Sequence, residues 1–169
     1  MLRMRQLVWQ RSSDDMLIES YIRQGAELLA AAQIEEPQRE ARLLLAHAMG
    51  ATSGNLIGFS EQSISDPSNY FDLVKKRVAY VPYSRIVGKR EFWSLDFQLT
   101  VDTFDPRPDS EVMVYSALHG IDNKSAELRI ADLGTGTGCL LLALLSELQN
   151  STGVGIDLNP ATATAAAAN

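Results

Sequence analysis

Asp132-Leu133-Gly134-Thr135-Gly136-Thr137-Gly138 decides how this chain is read. The loop completes a β-prone run, Leu128-Arg129-Ile130-Ala131-Asp132-Leu133, and precedes an apolar stretch of helical length, Leu140 to Leu148. Strand, glycine-rich turn and helix in that order bring backbone amides against a ligand at a helix N-terminus. Glycines let a ligand approach the backbone closely and permit positive φ. A dinucleotide fingerprint reads G-x-G-x-x-G. Gly134 and Gly136 satisfy its first two places, but Cys139 occupies the third, so the pattern here is D-x-G-x-G-x-G.

Downstream, Val154-Gly155-Ile156-Asp157 reads as a second strand, and Pro160 opens a helix through the alanine run to Asn169. An acid at the end of a second strand, about 20 residues beyond such a loop, can hold both ribose hydroxyls with its two oxygens. Asp157 stands at that place. The pattern resembles motif I of S-adenosylmethionine-dependent methyltransferases, whose ligand has no phosphate, so the loop packs against its amino-acid part and ribose. On that resemblance the expected cofactor-binding residues are Asp132, Gly134, Thr135, Gly136, Thr137, Gly138 and Asp157. The plainer alternative is a tight βα turn with a solvent-exposed aspartate.

Upstream, Arg90 to Val101 alternates aromatic and aliphatic residues (Phe92, Trp93, Leu95, Phe97, Leu99, Val101), which predicts a hairpin of two short strands. Its turn is expected near Ser94-Leu95-Asp96, without an Asn-Gly signal. Phe92, Trp93 and Phe97 are expected in the core. Two prolines then fix an extended segment, Asp105-Pro106-Arg107-Pro108, and Asp109 or Ser110 is expected to cap a helix reaching about His119. Phe104 is a candidate border of an adenine pocket. Arg107 and Glu111 are expected to brace the loop or pair with each other.

The front of the chain is helical. Ser12-Ser13-Asp14 reads as an N-cap, followed by Met16, Leu17, Tyr21, Leu28 and Leu29 at helical spacing up to about Gln33. Pro37 sits where a second helix starts. Ala41, Leu44, Leu45 and Ala48 form its apolar face, and Gly50 ends it. A short element is expected over Asn55 to Phe59. Asp66-Pro67 opens another helix, with Tyr70, Phe71, Val74 and Val78 inward, stopping before Pro82. Residues 14 to 81 thus read as a small helical domain.

Arg85-Ile86-Val87-Gly88-Lys89-Arg90-Glu91-Phe92-Trp93, then Asp105-Pro106-Arg107-Pro108-Asp109-Ser110-Glu111, resembles the protein-glutamine methyltransferases that modify peptide chain release factors. The family's joining motif reads Pro-Arg-Pro-Asp/Glu-Thr-Glu after an aliphatic residue. Here Ser110 replaces threonine, and Asp105 stands where the aliphatic residue is usual. The resemblance implies an α/β chain with an N-terminal helical bundle for substrate recognition (1–81), a β-hairpin linker (82–108) and the first part of a Rossmann-like class I methyltransferase fold (109–169). It further implies S-adenosyl-L-methionine as cofactor, class 1 release factors as partners and the glutamine amide of their Gly-Gly-Gln motif as substrate. The family's catalytic Asn-Pro-Pro-Tyr motif is absent: the one Asn-Pro is Asn159-Pro160, followed by Ala161 and Thr162. The chain is therefore expected to be an inactive fragment, with no catalytic residue of its own. Two other readings stay open: a fragment of a nucleic-acid adenine methyltransferase, and a non-catalytic module that binds a release factor.

The totals set bounds. In 169 residues, 46% hydrophobic and 21% charged, the composition is globular. A net charge of −6 argues against general nucleic-acid binding. A single cysteine, Cys139, forms no intrachain disulfide. Met1 to Gln10 is not expected to be a secretory signal, and no run approaches the ~20 apolar residues of a membrane span. A cytoplasmic location, no membrane and no direct nucleic-acid partner are expected. Residues 73 to 90 hold Lys75, Lys76, Arg77, Arg85, Lys89 and Arg90 without an acid, read as a solvated helix end and hairpin. His47 and His119 lack a partner at metal spacing. Cys139, at a helix N-terminus, is expected to have a lowered pKa.

Overall fold

A computed structural model describes residues 18–51 and 66–169. The cap at Ser12–Asp14, Met16, Leu17 and the element at Asn55–Phe59 lie outside them. The chain divides into two compact units, 1–81 and 82–169, and forms a mixture of helices and small sheets.

In the first unit three described helices pack on one another: α1 (Ile18–Ala31), α2 (Pro37–Ala48) and α3 (Ser68–Val78). Buried Ile18, Ile22, Gly25, Ala26 and Leu29 recur on one face of α1, at the spacing a helix needs to bury one stripe. They meet Ala41, Leu44 and Leu45 of α2, all fully buried. Pro37 opens α2 as its first residue. The helix ends in a Schellman arrangement: Gly50 is at φ 64°, its amide reaches the His47 carbonyl at 3.1 Å, and the Ala51 amide reaches that of Ala46 at 2.9 Å. Asp66 accepts the Ser68 amide at 2.9 Å ahead of α3. Tyr70 and Val74 of α3 are buried as the periodicity predicts, together with Leu73. Arg77 ties α3 to α2 through two bonds to Glu40, 2.8 and 3.3 Å long.

One close approach in this unit is demanding. A Cβ on Gly25 would lie 1.8 Å from the Tyr70 hydroxyl. That hydroxyl donates to the Tyr21 carbonyl at 3.1 Å, and its ring is 1% exposed, so the ring has nowhere to move. Burial also pushes the Tyr70 phenol well above its ordinary value. Gly25→Ala gains about 1 kcal/mol of helix propensity but overpacks the site, which costs about 1–3 kcal/mol. A net loss is expected in urea unfolding, partly recovered by adding Tyr70→Phe.

The second unit begins with α4 (Tyr83–Val87), a short helix the residue pattern did not announce. Gly88, at φ 72°, turns the chain into the hairpin of β1 (Lys89–Phe92) and β2 (Leu95–Gln98). Phe92 pairs with Leu95, so the turn is Trp93-Ser94, earlier than expected, and neither Leu99 nor Val101 extends the strand. Both turn residues have positive φ, 53° and 58°, as a type I′ turn requires. No glycine or asparagine lowers that cost. Two acids hold Trp93 instead: Glu111 accepts its amide and Glu147 its indole N–H, each at 2.9 Å.

Neither Asp109 nor Ser110 supplies a side-chain cap; a 3₁₀ turn, Pro108–Ser110, runs directly into α5 (Glu111–His119). Then follow β3 (Arg129–Leu133), α6 (Cys139–Glu147), β4 (Thr152–Ile156) and α7 (Pro160–Ala168). The strands β3 and β4 pair in parallel, Leu133 beside Ile156. Phe92, Phe97, Val114, Leu118, Ala143 and Leu148 form the core that joins hairpin, α5 and α6.

Candidate functional site

The loop from β3 to α6 turns on three glycines, Gly134, Gly136 and Gly138, at φ 80°, 59° and 82°. A side chain at any of them would be strained. They differ in surroundings. Beside Gly134 and Gly136 a Cβ would meet nothing within 4 Å, so that backbone faces open space. At Gly138 it would come within 3.3 Å of Leu142 and 3.5 Å of Ala166, so this glycine allows the loop to pack against α6 and α7.

The loop is fastened to the strand ends. The amides of Gly134 and Thr135 both donate to the Ile156 carbonyl, at 2.7 and 3.0 Å. Thr135 donates its hydroxyl to Asp132 at 2.8 Å. Thr135 and Thr137 are buried. Gly155 of β4 leaves room for Thr135: a Cβ there would lie 2.7 Å from its hydroxyl oxygen. Glycine in this strand is thus a packing requirement of the loop.

Asp157 follows β4 directly. One of its oxygens accepts the Gly136 amide at 3.1 Å, the other the Asn159 amide at 3.0 Å. These two bonds, that from Asn159 first, hold the carboxyl below its ordinary range. A carboxylate offers about four acceptor sites, so two amides leave capacity for a diol. Asn159 caps α7 by accepting the Ala161 amide at 2.9 Å. Asp132, Gly134, Thr135, Gly136, Thr137, Gly138 and Asp157 therefore meet at one end of the β3–β4 pair.

Other candidates fall elsewhere. Cys139 corrects an expectation: burial, the largest influence, raises its pKa above the ordinary value despite its place at a helix start. Phe104 is 88% exposed. Glu111 braces the hairpin turn through Trp93. Of the basic run, Lys75 pairs with Asp72, Arg77 with Glu40, Arg85 with Asp105 and Lys89 with Asp96. His119 stacks on Tyr115, with ring centroids 3.9 Å apart. Among the described residues no cluster of His, Cys, Asp or Glu could hold a metal, and no helix is long and apolar enough to cross a membrane.

Comparison with known proteins fits these features. The front of the chain is of a defined kind: residues 20–88 match the PrmC N-terminal domain. Over most of its length the chain is 40% identical, across 139 residues, to a release factor glutamine methyltransferase of Rhodospirillum rubrum, covering 80% of this chain and 42% of that protein. A protein of the same name from Bradyrhizobium diazoefficiens is 41% identical over 146 residues, 84% of this chain and 49% of the relative. One from Cereibacter sphaeroides is 38% identical over 154 residues, 88% and 52%. The chain thus carries a PrmC N-terminal domain and is similar over most of its own length to release factor glutamine methyltransferases. It spans about half the length of the curated relatives it matches.

Proposed function

We propose that residues 132–138 and Asp157 bind S-adenosyl-L-methionine, and that the whole protein methylates the glutamine side-chain amide of the Gly-Gly-Gln motif in class 1 release factors. In this reading residues 1–81 recognise the substrate, 82–108 link the two parts, and 109–169 begin a Rossmann-like methyltransferase domain. The observation that carries it is the open backbone at Gly134 and Gly136 beside a carboxylate with spare acceptor capacity. The site fits an uncharged ribose and an amino acid better than a diphosphate, because the loop has no Lys or Arg and the site carries Asp132 and Asp157. When bound, the cofactor supplies an electrophilic methyl on a sulfonium. This chain's part is to orient it: the open backbone at Gly134 and Gly136 packs along its amino-acid portion, and Asp157 accepts from its ribose hydroxyls.

Isothermal calorimetry tests the cofactor. S-adenosylmethionine or S-adenosylhomocysteine is expected to give a saturable isotherm and NAD none; the reverse order would sink the reading. The family's Asn-Pro-Pro-Tyr does not occur in these 169 residues. By themselves they are therefore expected to transfer no methyl to a release factor, and radiolabelled methyl on its glutamine would refute that part.

A further inference from the structure

We infer that Arg85 is a positioning residue for Asp157, acting through the irregular segment 99–107. This deepens the cofactor reading above and rests on it for its functional meaning.

Segment 99–107 contains no helix or strand, and past the Leu99 amide, which donates to the Gly88 carbonyl at 2.7 Å, no backbone ladder fixes where it lies. Arg85 substitutes for one. Its Nη1 donates to the Thr100 carbonyl at 2.6 Å, its Nη2 to the Thr103 carbonyl, and its Nε faces Asp105 Oδ1 at 2.5 Å. Ser84 donates to the other Asp105 oxygen. One planar guanidinium thus grips three residues of a single segment, a geometry that its fixed fork of donors allows and a lysine ammonium does not. Asp105 also acquires a reason here: it anchors the guanidinium where a neighbouring aliphatic side chain could not.

Between the gripped carbonyls lies Asp102, and Asp102 touches the site. Its carbonyl accepts the Thr162 hydroxyl at 2.9 Å, and its carboxylate lies 3.5 Å from Asn159 Nδ2. Thr162 is 4% exposed. Asn159 is the residue whose amide holds Asp157 Oδ1. The path is therefore continuous: Arg85 to Thr100 and Thr103, across Asp102 to Asn159 and Thr162, and from Asn159 to Asp157 and the Gly136 amide.

The Gly136 and Asn159 amides provide a cofactor-independent readout by NMR hydrogen exchange on the intact chain. Arg85→Lys keeps the charge and loses the fork; Thr162→Val removes the shorter of the two links at Asp102, the bond to its carbonyl. In variants that circular dichroism shows to be folded, each substitution is expected to speed exchange at Gly136 and Asn159 by about 3- to 10-fold. The double variant is expected to be no faster than the faster single, because both act on one path. S-adenosylmethionine affinity should fall by a similar factor. A merely structural Arg85 would instead accelerate all slow amides of residues 82–169 together. That pattern, unchanged Gly136 exchange in Arg85→Lys, or effects that multiply in the double variant would each overturn the inference. Failure of the unaltered chain to bind cofactor would refute the proposed function alone, since the exchange result stands without it.

Discussion

Asp157→Ala is expected to weaken S-adenosylmethionine binding by about 10- to 100-fold, the range for losing hydrogen bonds to a charged acceptor. The effect is large because Asp157 has two tasks. In the proposed function it offers its remaining acceptor sites to the ribose, and in the structure it holds the Gly136 amide at 3.1 Å. Asp157→Asn separates them. One amide oxygen can still accept from a backbone N–H, but the other position becomes a donor, so the ribose contact is impaired while the loop keeps part of its anchorage. Calorimetry should rank the native chain above Asn and Asn above Ala; equal affinity in all three would show that the carboxylate takes no part. The pH dependence follows in sign. The Asn159 and Gly136 amides favour the charged form, so its folded pKa lies below the unfolded value of about 3.9. The carboxylate's contribution is fully present above that unfolded value and is lost as pH falls through the lower folded one. Cofactor affinity should therefore be flat across neutral and mildly acidic pH as far as this group is concerned.

The residues of this site could be read in order because each obeys a local rule: glycine for positive φ, an acid after the second strand, proline at the start of α7. What meets what was less accessible. That Gly155 must be small follows from Thr135, 20 positions away in sequence but packed on the same strand pair. The helices of the first unit declared themselves through periodic burial, Tyr21 and Leu29 in α1 and Leu44 and Leu45 in α2. The hairpin turn did not, because Trp93-Ser94 has no intrinsic preference for positive φ. It is held by Glu111 and Glu147, 18 and 54 positions distant, and no window of sequence contains that reason. The α4 helix escaped notice for a similar cause: five residues are too few to display a period. At Cys139 two local effects oppose each other. The helix start lowers a thiol's pKa and burial raises it; burial prevails, and its extent is a tertiary property. Asp105 was visible as a departure from the family pattern, but its partner Arg85 lies 20 residues earlier, and only the fold joins them.

Phe92→Ala is expected to cost about 3–5 kcal/mol, the usual penalty for emptying a buried aromatic site. Phe92 is 1% exposed at the end of β1, and its ring meets that of Phe97 edge-on, centroids 6.4 Å apart at 72°. Around the pair stand Val114 and Leu118 of α5, and Ala143 and Leu148 in and just after α6. The site cannot easily collapse, because the Trp93 bonds to Glu111 and Glu147 pin the adjoining turn to both helices. A single domain holds only about 5–15 kcal/mol in total, so the loss is a large share of what keeps residues 82–169 folded. Urea unfolding followed by near-ultraviolet circular dichroism should show the midpoint for this unit falling steeply. Phe92→Leu, which fills more of the volume, should lose less. A cost under about 1 kcal/mol would mean that hairpin and helices do not share one core. The Phe92 and Asp157 variants also separate stability from binding, since α6 joins this core to the glycine loop. Phe92→Ala should reduce cofactor binding only in proportion to the unfolded fraction, so affinity recovers on moving to conditions where the unit is fully folded. Asp157→Ala should bind weakly under all of them.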